Sequence, residues 1–305
     1  MFVSGFTIVR NAVRYDYPVT ESIRSLLPLV DEMVVAVGDS DDGTRERVLS
    51  IDSPKIRIIN TVWDEELRRG GLILAQQTNL ALAACRGDWC FYLQADEVLH
   101  ELDYPRLKHA MHVNLNRLGV EGLSFRYHHF RASYGIRDPL PYRRQVRIVR
   151  PGAGIRSYGD ACGFQVEGRK LRCRSAGGWV YHYGYVKPPR RMAAKMDYFL
   201  SLYDGRKVMP GAELKADGYE WDLRTCEPFR GSHPLVMQAR IATMDWQAPR
   251  VELIPCWRNH RYWSGLAHKN TRTFRRWANA LRRLVATSTK ITGSLFGSVG
   301  EWFVR

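Results

Sequence analysis

The sequence predicts an α/β fold: a doubly wound, mostly parallel sheet with added antiparallel strands and a helical C-terminal region. Three observations lead to this prediction. Apolar and amphipathic segments alternate along the first hundred residues, as strands and helices do in such a sheet. The segment MVVAV at 33–37 has no polar position, which is typical of a strand buried on both faces. Acidic residues follow two of the apolar segments, at strand ends where these sheets bind ligands.

The first part of the chain alternates strictly between strand and helix. FVSGFTIV at 2–9 is predicted to be a strand. A helix is predicted over 18–29, because Pro18 suits a first helical turn and the apolar Ile23 and Leu26 share one face. The later strands of this part are predicted at 33–37, 55–59 and 89–93, and the later helices from Thr44 to about Ile51 and at 72–85.

Beyond residue 100 the pattern is less regular. Helices are predicted at 105–118 and 193–203, and alternating polar and apolar residues predict antiparallel strands at 122–130, 143–150 and 178–183. From about 205 to 263 the chain is rich in glycine, proline, tryptophan and charge, which predicts loops with short helices.

The composition is that of a globular protein with a basic surplus. The 305 residues are 45% hydrophobic and 25% charged, and 46 Lys and Arg against 31 Asp and Glu give a formal charge of +15. This charge favours nucleic acid, acidic phospholipid or a phosphate-bearing small molecule as partner. The six cysteines form no C-x-x-C pair, so we expect neither a zinc cluster nor a disulfide scaffold, and a reducing compartment. We expect neither a signal peptide nor a membrane-spanning helix.

A basic amphipathic helix is predicted over 271–286. Phe274, Trp277, Leu281 and Leu284 share one face, and arginines occupy the other side. Such a helix suits an anionic membrane surface, and it equally suits docking on the rest of the chain with solvated arginines.

Carboxylates gather in two loops that follow predicted strands. GDSDDGT at 38–44 carries Asp39, Asp41 and Asp42, and QADE at 94–97 carries Asp96 and Glu97. Either loop alone is weak evidence, because D-D-G-T is a common turn and helix-capping sequence. Two such loops at neighbouring strand ends can bind a base or ribose and a divalent cation.

With these motifs the chain resembles the family-2-like glycosyltransferases of the GT-A fold, which are bacterial enzymes that use nucleotide sugars. The resemblance is carried by TIVRNA (7–12), AVGDSDDGT (36–44) and QTNLALAACRGDWCFYLQADE (77–97), and less closely by SYGDACGF (157–164), WVYHYGYVKPP (179–189) and FRGSHP (229–234). It implies transfer of a sugar from a UDP- or GDP-type donor to a glycan or lipid-linked cell-envelope acceptor. It also implies a single, inverting displacement and a divalent cation, Mn²⁺ or Mg²⁺.

The resemblance also implies donor-binding residues. Thr7, Val9 and Asn11 would shape the base pocket, and Asp39 or its neighbour would recognise a uracil-type imide or the ribose. Asp42 would either assist or cap the helix that begins at Thr44. Further donor contacts are expected from Gln77, Gln94 and Lys187.

The catalytic part departs from the family at one position. Gln94-Ala95-Asp96 stands where most members have Asp-x-Asp. We expect Asp96 to be the principal metal ligand, with Glu97 as a weaker one, and an amide at 94 to be a poor ligand. His182 would complete the site or be a histidine hydrogen-bonded in a turn. Asp160 is the expected catalytic base, and its alternative is a turn aspartate.

By this resemblance the chain divides into a catalytic domain at 1–204, an irregular extension at 205–265 and a basic tail at 266–305. Within the first, 1–100 would bind the nucleotide and 101–204 the acceptor. We expect a cytoplasmic protein, with the tail as a means of peripheral attachment to the inner face of the membrane. One alternative is a degenerate fold that binds nucleotide sugar without turnover. Another is a basic nucleic-acid-binding protein, although no known nucleic-acid motif is present, so nucleic acid is not the expected partner.

Overall fold

One large sheet organises the chain and confirms the predicted α/β fold with added antiparallel strands. The computed structural model describes residues 1–152, 154–203, 212–215, 218–221, 223 and 225–247, all within one compact unit. The strands are β1 Val3–Val9, β2 Glu32–Gly38, β3 Ile56–Thr61, β4 Trp89–Tyr92, β5 Glu97–Leu99, β6 Gly122–Arg131, β7 Ser133–Asp138, β8 Arg144–Val149, β9 Ile155–Tyr158, β10 Gly163–Val166, β11 Arg169–Lys170, β12 Cys173–Tyr185, β13 Ala212–Lys215, β14 Gly218–Trp221 and β15 Glu227–Pro228. The helices are α1 Val19–Leu26, α2 Thr44–Leu49, α3 Leu72–Ala83, α4 Tyr104–Asn114, α5 Pro189–Ser201 and α6 Gln238–Ala242.

The parallel half of the sheet has the order β4-β1-β2-β3. Its central strands β1 and β2 are buried at every position, because helices cover both faces. Helices α1 and α4 pack on one face through residues such as Ile23 and Met111, and α3 packs on the other through Ala81 and Leu82. Strands β1 to β4 therefore all end at the same edge of the sheet, as the sequence predicted.

The antiparallel half extends the sheet from β4 through β8, β6, β7 and β15. The long strand β12 pairs with β5 on one side and with β6 on the other. This register places His182 between Glu97 and His129, and it brings a distant part of the chain next to the end of β4.

The region predicted as loops with short helices is more structured than expected in its described parts. Strands β13 and β14 pair as a hairpin, β15 joins the large sheet, and α6 follows. No helix in the described residues has the length and apolar character needed to cross a membrane. The helix predicted over 271–286 and the whole tail lie outside the described residues.

Candidate functional site

The two carboxylate loops lie at one edge of the sheet. Asp39 follows β2, Asp96 follows β4, and β1 lies between these parallel strands. Neighbouring strands are about 4.8 Å apart, so the two loops begin about 10 Å from each other. Residues from β3, α3, β12 and α5 also lie at this edge. The polar side chains there form two groups, one around Asp39 and one around Asp96.

The first group surrounds Asp39 and holds a planar cation. The Arg10 guanidinium donates to the Asp39 carboxylate, with 3.2 Å between Nη2 and Oδ2, and to the Asp39 carbonyl. The Arg10 Cζ atom lies 5.4 Å from the centroid of the Trp63 ring, and this ring packs against Gly38. A carboxylate and an aromatic face thus bind the guanidinium, which is planar and carries N–H donors.

Four buried polar atoms beside this group have no hydrogen-bond partner among the residues that the structure describes. They are Asn11 Oδ1, Thr61 Oγ1, Trp63 Nε1 and Gln77 Oε1. Asn11 follows β1, Thr61 ends β3, and the Gln77 amide donates to the carbonyl of Val62 at 3.1 Å. Buried polar atoms normally have hydrogen-bond partners. A cluster of unsatisfied polar atoms at a sheet edge therefore marks a place where polar ligand groups or waters would bind.

Other predicted donor residues have structural partners. Thr7 and Val9 are buried within β1. Asp42 accepts from the Thr44 amide at 3.1 Å and from the Arg14 amide at 2.7 Å, so it holds the start of α2 against the preceding loop. Burial would raise the pKa of Asp42, but these hydrogen bonds outweigh it and lower the pKa.

Lys187 is buried and bonded to backbone carbonyls. Its ammonium donates to the carbonyls of Tyr15 at 3.0 Å and Asp16 at 2.9 Å, and the residue is fully buried. Burial, and then the charge of Lys195, lowers the pKa of Lys187 to about 7. We therefore do not retain Lys187 as a contact for the donor diphosphate.

The second group surrounds Asp96 and is buried. Lys195 on α5 donates to Asp96 Oδ2 at 3.2 Å and to the Gly184 carbonyl at 2.7 Å. His182 Nε2 lies 3.7 Å from the same carboxylate oxygen. Burial would raise the pKa of Asp96, but Lys195 and His182 outweigh it and hold the pKa well below its usual range. Asp96 is therefore an ionised carboxylate with a cation already bonded to it.

A second histidine orients His182. His129 Nε2 lies 3.0 Å from the Tyr142 carbonyl, which can only accept, so this nitrogen carries the proton. Burial, and then His182, lowers the pKa of His129 well below its usual value, so His129 is neutral. Its Nδ1 accepts from His182 Nδ1 at 3.1 Å. The protons assigned in this way leave His182 Nε2 as the nitrogen that faces Asp96.

Glu97 faces a different partner. Its carboxylate forms a two-pronged ion pair with Arg147, with both N–O distances 2.7 Å and both side chains fully buried. It also accepts from the Tyr127 hydroxyl at 2.9 Å and from the backbone N–H of Gln94 at 3.1 Å. Both oxygens of Glu97 are therefore occupied, and we do not retain it as a metal ligand.

Gln94 connects this group to the Asp160 loop. Its side-chain amide donates to the Ala161 carbonyl at 3.3 Å. Ala161 has a φ of 58°, in the left-handed region that alanine seldom adopts. Asp160 accepts from the Tyr203 hydroxyl at 2.8 Å. Burial, and then Asp160, raises the pKa of Tyr203, so this hydroxyl keeps its proton and donates.

The residues near Asp96 do not fit a divalent cation. The 3.7 Å between Asp96 Oδ2 and His182 Nε2 would allow both to bind one ion at about 2.1 Å. However, Lys195 already bonds that oxygen, Gln94 supplies an amide, and Glu97 is paired with Arg147. In the described part of the chain, no three His, Cys, Asp or Glu side chains come together as a metal site.

Sequence reasoning missed Lys195, His129 and Arg147. Lys195 had one detectable signal: it lies on the same face of the predicted helix as Met192 and Met196, and all three are buried. A lysine at a buried helical position needs an acidic partner. His129 and Arg147 lie on strands whose pairing the sequence does not specify.

Comparisons with known proteins give only distant likenesses. No protein-family model matches the sequence, and no curated protein matches it significantly. Among solved structures, the chain is similar to glucosyl-3-phosphoglycerate synthase from Mycobacterium tuberculosis, crystallised with Mn²⁺, UDP and phosphoglyceric acid, at 21% identity over 41% of this chain and 42% of that one, with a TM-score of 0.29. It is similar to S. aureus TarS at 13% identity over 65% of this chain and 39% of that one, with a TM-score of 0.36.

Mannosyl-3-phosphoglycerate synthase from Rubrobacter xylanophilus has 17% identity over 73% of this chain and 86% of that one, with a TM-score of 0.35. For the Mycobacterium tuberculosis enzyme, by contrast, the match covers less than half of its length. Similarities of this extent do not establish a family or an activity.

Proposed function

We propose that this chain transfers a sugar from a nucleotide-diphosphate sugar to an acceptor hydroxyl on a glycan or lipid-linked molecule. The observation that carries the proposal is the pairing of two different polar groups at one sheet edge. The first group contains Asp39, Trp63 and the unsatisfied polar atoms, and it suits a flat, hydrogen-bonding base and its ribose. The charged group around Asp96, about two strand spacings away, suits a diphosphate and the attached sugar.

The base would take the place that Arg10 now occupies. Asp39 and Trp63 already hold a planar group with N–H donors, and a uracil-type imide is also planar and offers one N–H. Trp63 Nε1 can donate, and the Asn11 and Gln77 oxygens can accept, which matches a ligand with donors and acceptors of both kinds. A UDP-type donor is therefore proposed, with a GDP-type donor as its competitor in the test.

The proposed reaction is a single displacement. The acceptor oxygen forms a bond to the anomeric carbon as the bond from that carbon to the diphosphate oxygen breaks. The proton of the acceptor hydroxyl passes to Asp160, and the negative charge that leaves the sugar stays on the nucleoside diphosphate. Gln94 supports this arrangement by holding the Asp160 loop at the end of β4. Such a displacement inverts the anomeric configuration.

Nucleotide binding by the full chain tests this proposal. Calorimetric titration with UDP, GDP, CDP and ADP should show one favoured base. Asp39→Ala should weaken that nucleotide about tenfold, because it removes a charged hydrogen-bond acceptor. Asp41→Ala is the matched control: Asp41 lies in the same loop, pairs only at the surface with Arg14, and should leave affinity unchanged.

Release of nucleoside diphosphate from a panel of nucleotide sugars then separates an enzyme from a binding protein. Turnover that Asp160→Asn lowers, with binding retained, would support the assigned base. Binding without any turnover, even with acceptor glycans, would point to the degenerate binding protein. If none of the four nucleotides binds, the proposed function is wrong.

A further inference from the structure

The cation beside Asp96 belongs to the chain itself. Lys195 reaches the carboxylate from α5, and its side chain is only 8% exposed. Two aromatic rings enclose the ammonium, with Tyr17 and Tyr185 centroids at 4.8 and 5.3 Å. Burial, and then Asp96, raises the pKa of Tyr17 well above its usual value, so that ring stays neutral. A carboxylate, a carbonyl and two aromatic faces form a built site for a positive charge.

Gly184 shows how closely this site is packed. A Cβ at this position would come within 2.5 Å of Asp96 Oδ2, 2.7 Å of His182 Nε2 and 3.0 Å of Lys195 Nζ. The three charged or polar ends therefore converge on one backbone atom, where a larger residue would displace them. The ammonium donates to the same Asp96 oxygen that faces His182, which is the oxygen that a divalent ion shared by Asp96 and His182 would need.

We propose that the Lys195 ammonium takes the place of a divalent cation in this chain, and that a nucleoside diphosphate binds against it without Mn²⁺ or Mg²⁺. This inference rests on the proposed transfer from a nucleotide sugar. An ammonium has three N–H donors. Among the described residues, Asp96 and the Gly184 carbonyl accept two of them, and in the proposed complex a diphosphate oxygen accepts the third.

The neutral amide at position 94 agrees with this assignment. A carboxylate there would add a second negative charge to a buried loop in which Lys195 is already bonded to Asp96. Instead, the side-chain amide of Gln94 donates to the Ala161 carbonyl, so the loop after β4 is held in place without another charge. The neutral amide at position 94 and the lysine on α5 are thus two parts of one electrostatic arrangement.

Two measurements on the full chain test the proposal. The first follows Mn²⁺ binding by electron paramagnetic resonance in the wild type and in Asp96→Asn. Any Mn²⁺ binding by the wild type should be unchanged in Asp96→Asn. The second measures UDP and GDP affinity by calorimetry in EDTA and in excess Mn²⁺. Affinity should be the same in both, and Lys195→Gln should lower it about tenfold, because a charge-assisted hydrogen bond becomes a neutral one.

Controls keep the test decisive. Lys55→Gln is the matched control, because the Lys55 ammonium donates to the carbonyls of Leu27 and Val30, and it should not change nucleotide affinity. Near-ultraviolet circular dichroism checks that each variant folds. If Lys195→Gln does not fold, Asp96→Asn with Lys195→Met replaces it, since that pair leaves no buried charge without a partner.

The two proposals can fail separately. Wild-type Mn²⁺ binding that depends on Asp96, or nucleotide affinity that requires Mn²⁺, would overturn the role of Lys195 and leave the nucleotide-sugar proposal intact. Unchanged affinity in a folded Lys195→Gln would also overturn it. If no nucleotide binds under either condition, the proposed function fails, and the Mn²⁺ measurement alone still decides whether Lys195 holds the cation position.

Discussion

The loops after β2 and β4 carry similar carboxylates in opposite surroundings. In the β2 loop the Asp39 side chain is 51% exposed and that of Asp41 is 76% exposed. In the β4 loop the Asp96 side chain is 11% exposed and that of Glu97 is fully buried. Exposed ion pairs contribute little and rearrange easily, whereas buried ones are costly to break. The β2 loop is therefore suited to exchanging partners, and the β4 loop to keeping them.

Under the proposed function, this difference would separate recognition of the base from electrostatic positioning of the diphosphate. A base that displaces Arg10 from Asp39 would break a contact in which the Asp39 side chain is 51% exposed and the Arg10 side chain 15%, so water partly replaces it on the Asp39 side. By contrast, Asp96 is bonded to Lys195 and Glu97 to Arg147 within one short turn, where water does not compensate. Mutations in the two loops should therefore differ strongly in their effect on stability.

The largest effect is expected from Arg147→Met. This change leaves the Glu97 carboxylate buried with only neutral partners, which should lower the free energy of unfolding by about 3–5 kcal/mol. Urea unfolding at neutral pH measures it. The double variant Glu97→Gln with Arg147→Met should recover most of the loss, because no buried charge remains. A loss below about 1 kcal/mol in the single variant would show that the β4 loop does not depend on this ion pair.

The parallel half of the sheet was predictable because each element carries its own signal. The segments 33–37 and 89–93 are continuous apolar runs, and the structure places β2 and β4 there within two residues. Helix α3 begins at Leu72 as predicted and ends two residues early. Hydrophobic period and strand burial are local properties, so the amino-acid order suffices to recover them.

The partners of the site residues were not predictable, since each depends on pairing between distant segments. Glu97 and Arg147 are 50 positions apart, and Asp96 and Lys195 are 99 apart. Strand β5 has only three residues, which are too few to show the alternation of polar and apolar residues that predicts a strand. Its register with β12 nevertheless places His182 beside Asp96. The sequence therefore predicted that the loops with Asp39 and Asp96 lie at one edge of the sheet, but it did not predict which cations pair with these acids.

A moderate effect is expected from Gly184→Ala. Because its Cβ would meet Asp96 and His182 at distances that atoms do not adopt, the buried group must shift, and we expect destabilisation by about 1–3 kcal/mol. If the Lys195 proposal holds, nucleotide affinity should fall as well. Thermal unfolding and calorimetry measure the two effects. Gly135→Ala is the matched control, because its Cβ would meet only Ser133 Oγ at 3.9 Å. Equal effects in both variants would contradict the close packing at Gly184.

The smallest effect is expected in the β2 loop, from Asp42→Ala. This change removes the acceptor for the Thr44 and Arg14 amides and should cost about 1 kcal/mol, as the loss of a helix-start acceptor usually does. Asp41→Ala, one residue earlier, should stay within about 0.5 kcal/mol, because its pair with Arg14 is largely solvated. Urea unfolding of both variants measures the difference. A cost for Asp42→Ala as large as that for Arg147→Met would mean that the two loops are equally rigid, and the division between an exchangeable loop and a fixed one would then be wrong.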